Sequence, residues 1–138
     1  MFKYKLILLL FIGVVAIVLT GCNKHVPLKG KVTFADDGSP VGAGVVIFDD
    51  GAVRASGPIQ RDGTYVVGFE KEGNGIPPGT YQVVISGAVK KLDNPTNFFP
   101  APTEMMIHSK YLYPNSSGLS IVVDRTTKEY NIEVERPE

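Results

Sequence analysis

One cysteine and two histidines among 138 residues leave little for redox, metal or acid–base chemistry to use. A lone thiol, Cys22, forms no internal disulfide, so no disulfide framework holds this chain together. His25 and His108 stand far apart in sequence, and neither sits in a Ser-His-Asp, Cys-His or paired-ligand spacing. An enzyme needs convergent groups, so this inventory predicts a protein that is not an enzyme, with no catalytic residue, resident cofactor or metal site. An excess of one charge is also missing. Fourteen basic residues face fourteen acidic ones with no basic cluster, which argues against nucleic acid as a partner because phosphate binding draws on concentrated Lys and Arg. Helix signals are nearly absent after the first twenty residues.

What is there begins with the leader. Lys3 and Lys5 precede an uninterrupted apolar segment, residues 6–19, and small residues follow, which is the layout of a secretory signal. Fourteen residues at about 1.5 Å each fall short of a hydrocarbon core of roughly 30 Å, so a transmembrane anchor is the weaker reading. Leu19-Thr20-Gly21-Cys22 resembles the lipobox of bacterial lipoproteins. That resemblance implies a diacylglyceryl thioether on Cys22, cleavage before it and an N-acyl group on the new amine. Acyl chains contribute roughly 0.8 kcal/mol per buried methylene, and two or three of them hold a protein on a membrane. Asn23 rather than Asp follows the cysteine, which among such lipoproteins implies the outer membrane rather than the inner one. The expected organisation is a signal peptide at 1–21, a short tether at 22–27 and one domain at 28–138.

Cleavage before Cys22 leaves 117 residues. Two basic residues and no acidic ones leave with the leader, so the mature net charge is −2. Strand signals fill this mature chain. "LKGKVTF" alternates Leu28, Gly30, Val32 and Phe34 against Lys29, Lys31 and Thr33, the period of a strand with one wet face. "GVVIF", residues 44–48, is continuously apolar and reads as a more buried strand. "AVRASGPIQ" and "TYVVGFE" flank an Asp62-Gly63 turn, with Pro58 marking the first as an edge strand. "TYQVVISG", "LSIVVD" and "YNIEVER" bring the count to seven. Turns every eight to twelve residues point to an all-β sandwich or barrel.

Gly30-Lys31-Val32, Asp37-Gly38-Ser39-Pro40, residues 45–48, Asp62-Gly63-Thr64-Tyr65 and Pro78-Gly79-Thr80-Tyr81-Gln82-Val83 occur in an order that resembles carboxypeptidase regulatory-like domains. The resemblance implies a transthyretin-like Greek-key β-sandwich of about seven strands. It also implies kinship with small bacterial lipoproteins that carry this domain alone. Transthyretin-like enzymes use histidines, an arginine and a C-terminal tetrapeptide, a pattern that "IEVERPE" lacks.

Asp36-Asp37, Asp49-Asp50 and Asp62 precede glycines as turn residues do, and no spacing matches a calcium loop. A Lys-Asn crosslink between Lys29 or Lys31 and Asn131 is disfavoured by alternation, which puts all three on wet faces. The least ordinary segment is 90–118, a long connection holding Phe98, Phe99, Met105, Met106, Tyr111 and Tyr113. Those side chains either cap an open end of the sandwich or form an interaction surface. The expected role is a lipid-anchored, non-catalytic structural or protein-interaction module of the cell envelope. Its alternative is a carbohydrate- or small-molecule-binding module.

Overall fold

In strand β1 (Lys29–Phe34), Gly30, Val32 and Phe34 turn inward while Lys29 and Lys31 stay in solvent, as the period of two requires. The computed structural model describes residues 25–93, 96–97 and 99–138; the leader, Cys22 and Phe98 lie outside them. β1 pairs antiparallel with β4 (Thr64–Val66) and parallel with β9 (Ile132–Val134), with Gly30 opposite Tyr65 and Val32 opposite Ile132. These form a three-stranded sheet, β4-β1-β9. The facing sheet has the order β3-β2-β5-β8, antiparallel throughout, from β2 (Val45–Asp49), β3 (Arg54–Pro58), β5 (Gly79–Ser86) and β8 (Leu119–Val123).

The two sheets enclose one apolar core, making an open all-β sandwich. Tyr81, Val83 and Ile85 of β5 project into it beside Val46 and Phe48 of β2, Val32 of β1 and Val134 of β9. Each fully buried side chain of this size contributes about 1.5–3 kcal/mol. Phe48 and Tyr65 meet across the sheets with ring centroids 6.3 Å apart. The Tyr65 hydroxyl donates to the Tyr130 carbonyl, and burial pushes its pKa well above the usual phenol value. Gly30 has to be glycine at this contact. A Cβ there would lie 1.9 Å from the Tyr130 carbonyl oxygen and 2.7 Å from the Tyr65 hydroxyl.

The seven strands expected from alternation are the seven of the two sheets, and Pro58 does lie on the edge strand β3. Two features differ from expectation. β2 alternates instead of burying continuously, since Val45 and Ile47 on its outer face are only half-buried. The 90–118 segment is not an unstructured loop: β6 (Val89–Lys91) pairs with β7 (Thr103–Met105), and a 3-10 turn (Ser109–Leu112) and a one-turn helix α1 (Pro114–Ser117) follow. Pro114 opens α1 at a position where a missing N–H costs nothing, and Gly118 ends it in the left-handed region at φ 67°.

The aspartate turns bond within themselves. Asp37 accepts from the Ser39 amide and hydroxyl at 2.9 and 2.6 Å, and Asp62 accepts from the Thr64 amide and hydroxyl at 3.0 and 2.6 Å. Asp49 accepts from Gly51 N and Asp50 from Ala52 N and Val53 N. Such side-chain-to-backbone bonds are why aspartate starts turns.

Candidate functional site

β5 sets the long axis of the sandwich. Eight extended residues span about 24 Å from Gly79 to Ser86. The chain enters at the Gly79 end, where Val26 bridges to Ile76; the 90–118 segment leaves from the Ser86 end. The candidate surface therefore lies opposite Val26.

At that far end the structure divides the aromatic and methionine residues into two groups. Tyr111 is buried, and its hydroxyl accepts from the Glu135 amide at 3.1 Å. Ile107 and Ala88 are buried with it, and Met106 packs against them while its amide donates to the Ala88 carbonyl at 2.9 Å. The His108 amide donates to the Glu135 carbonyl at 2.9 Å, so this stretch lies beside the end of β9. Ser117, also buried, donates its hydroxyl to the Val83 carbonyl at 2.7 Å. These contacts close the sandwich. Phe99 is 99 % exposed and Tyr113 60 %, while Met105 is half-buried. Phe99 and Tyr113 are the exposed rings that a partner can reach; Phe98 lies outside the described residues.

Two charged clusters brace this end. Lys110 pairs with Glu135 at 2.8 Å and lies 5.1 Å from the Tyr111 ring centroid. Their hydrogen bond raises the Lys110 pKa and lowers that of Glu135. Arg136 stacks 3.7 Å over the Phe34 ring and donates to Asp36 at 2.8 Å and Asp37 at 3.1 Å. Ser39's hydroxyl and amide, together with Arg136, hold the Asp37 carboxyl down to about 2. Sequence reasoning missed this clamp because its residues lie a hundred positions apart.

The histidines do not meet. His25 packs edge-on against Phe69 at 5.5 Å near the chain entry, whereas His108 caps the 3-10 turn, its Nδ1 accepting from the Lys110 amide at 3.1 Å. Among the described residues no group of three or more His, Cys, Asp or Glu side chains gathers as a metal site would require. Asn131 is exposed; its Oδ1 accepts from the Lys31 amide at 3.0 Å and its Nδ2 donates to Glu129 at 3.1 Å. That is a surface bridge between backbone and side chains, and Lys29 and Lys31 are themselves exposed.

The entry end holds a feature with no local signature in sequence. An open groove of about 470 Å³ runs between Pro27, Leu28 and Val66 on one side and Arg125, Thr127 and Lys128 on the other, with Lys29 beside them. "RTTKE" at 125–129 reads only as a turn; the parallel pairing of β1 with β9 brings it to Lys29.

No protein-family model matches the chain, and no curated protein matches it. Two solved structures are similar in backbone course. A DUF3823 family protein from Bacteroides ovatus shares 22 % identity at a TM-score of 0.44, over 81 % of this chain and 45 % of its own. BcpA, the major pilin subunit of Bacillus cereus, shares 10 % identity at a TM-score of 0.49, over 83 % of this chain and 30 % of its own. This chain spans less than half the length of either.

Proposed function

We propose that the chain is a lipid-anchored, non-catalytic β-sandwich of the cell envelope, of the carboxypeptidase regulatory-like kind, that presents one end to a protein partner. The observation that carries the reading is its polarity. Val26 is built into one end of the sandwich four residues after Cys22, and Phe99 and Tyr113 stand exposed at the other. A diacylglyceryl and N-acyl lipid on Cys22 would hold the entry end at the membrane, of which the outer one is favoured by Asn23, and turn the aromatic end outward. The separate histidines, and aspartates taken up by their own turns and by the Arg136 clamp, support a scaffold rather than an enzyme. Exposed rings at one tip suit an envelope protein that can desolvate them.

Two measurements on the protein purified from membranes test this. Mass spectrometry of the N-terminal peptide is expected to show acylated Cys22; an unmodified cysteine, or cleavage elsewhere, overturns the anchor. Crosslinking from position 99 is expected to recover a discrete envelope protein. Recovery of glycan alone would move the domain to the class of carbohydrate-binding modules.

A further inference from the structure

The entry-end groove has a chemistry of its own. Lys29, Arg125 and Lys128 surround it, no carboxylate is among its lining residues, and Pro27 and Val66 give it an apolar wall. None of the three cations takes part in a salt bridge among the described residues. Of the carboxylates adjoining the lining residues, Asp124 accepts from the amide and hydroxyl of Thr126 and Glu129 from the side-chain amide of Asn131. Val66 stands directly opposite Lys29 in the β1–β4 ladder, on the same wet face, and is half in solvent, so an apolar side chain and a cation share one rim.

We propose that this groove seats the phosphate headgroup of an anionic phospholipid, so that the domain rests on the membrane by its entry end instead of swinging on its tether. The proposal rests on the lipid-anchor reading. Four residue steps separate Cys22 from Val26, a reach of at most about 14 Å. That tether keeps the three cations close to the surface, where attraction to anionic lipid acts over a screening length of about 8–10 Å. Val66 and Pro27 then meet the boundary between headgroups and acyl chains. The groove's volume falls within the range of about 300–1,000 Å³ typical of sites for small ligands.

The chain contains no tryptophan, so Val66→Trp supplies a fluorophore without background. The full lipidated chain carrying it is reconstituted into vesicles of brominated phosphatidylcholine, with or without brominated phosphatidylglycerol. The expected result is strong quenching that requires phosphatidylglycerol and disappears in 1 M salt, where the screening length is about 3 Å. Adding Arg125→Glu and Lys128→Glu is expected to lower the ratio of docked to free domain at least 25-fold, about fivefold for each cation lost. Melting curves identify a variant that fails to fold, and the salt titration of the Val66→Trp protein then decides alone. Quenching that is absent, or indifferent to lipid charge and salt, with Cys22 acylated, overturns the docking. An unmodified Cys22 in the same preparation overturns the anchor and the docking together.

Discussion

The two ends of the sandwich are closed by different means. At the entry end the connections 50–53, 67–78 and 124–131, each of at most twelve residues, join the strands and leave an open, cation-rimmed groove. At the far end one excursion of about thirty residues folds back on the sheet edges, burying Ala88, Ile107, Tyr111 and Ser117 and leaving Phe99 and Tyr113 in water. An open end exposes backbone and apolar edges that must find partners. Where turns are short the strands themselves meet that need. Where the connection is long it supplies its own miniature core, and only what that core does not use is left for recognition. Composition alone therefore overstates the recognition surface: of the six aromatic and methionine residues in the segment, the structure puts Tyr111 inside and packs Met106 against the core.

The largest expected effect comes from emptying that miniature core. Tyr111→Ala removes a buried ring together with the acceptor of the Glu135 amide, and aromatic truncations of this kind cost about 3–5 kcal/mol. Chemical denaturation should show a loss of that size. A loss below 1 kcal/mol would mean that the far end is not closed by this segment.

Gly30→Ala probes the opposite kind of construction, strand against strand. The added methyl meets backbone, not a mobile side chain, so β1 and the chain at Tyr130 must separate. Overpacking typically costs about 1–3 kcal/mol, and this contact belongs at the top of that range. A melting temperature equal to that of the parent protein would show that the β1–β9 junction is loose.

These sites also show what could be read from residues in a line. β1 and β9 were legible because Val32, Phe34, Ile132 and Val134 alternate with the polar Lys31, Thr33, Asn131 and Glu133. β6 and β7 were not, since "VKK" and "TEM" are too short and too polar to display a period. The Arg136 clamp and the basic groove were invisible for another reason. Each joins the beginning of the domain to its end, and only the parallel β1–β9 pairing makes Arg136 a neighbour of Asp36 and Lys128 a neighbour of Lys29. The exposure of Phe99 had no sequence signal, because Tyr111 twelve residues later has similar chemistry and opposite placement.

A smaller effect concerns acid. The carboxyl of Asp37, held at about 2 by Ser39 and Arg136, binds its proton less readily in the folded chain than at its ordinary 3.8. Asp50, Asp62 and Asp124 are lowered by their turn bonds, and Glu135 by Lys110. Between the two values the unfolded state takes up more protons, so stability rises with pH. This contribution is complete above about pH 5 and is lost as pH falls toward 2. Thermal melts across that window should decline, with high salt weakening the part that comes from Lys110 and Arg136. Asp37→Asn, which keeps the turn's acceptor, should flatten the decline; an unchanged pH profile would remove Asp37 from the account.

The smallest effect on stability belongs to Phe99, and that smallness is its diagnostic value. At 99 % exposure its ring has almost no contact to lose, so Phe99→Ala should leave the denaturation midpoint within about 0.5 kcal/mol of the parent. Recognition predicts a large effect in a different measurement. A partner that buries this exposed ring removes its apolar area from water. Hot-spot aromatics of this kind lower affinity by about 2 kcal/mol or more when truncated, roughly thirtyfold. Recovery of the crosslinked envelope partner should fall accordingly in Phe99→Ala, while Tyr113→Ala tests whether the second exposed ring belongs to the same surface. If Phe99→Ala unfolds the domain, the ring is part of the closure and the division between core and surface fails; if stability and recovery both stay unchanged, the far end is closure alone.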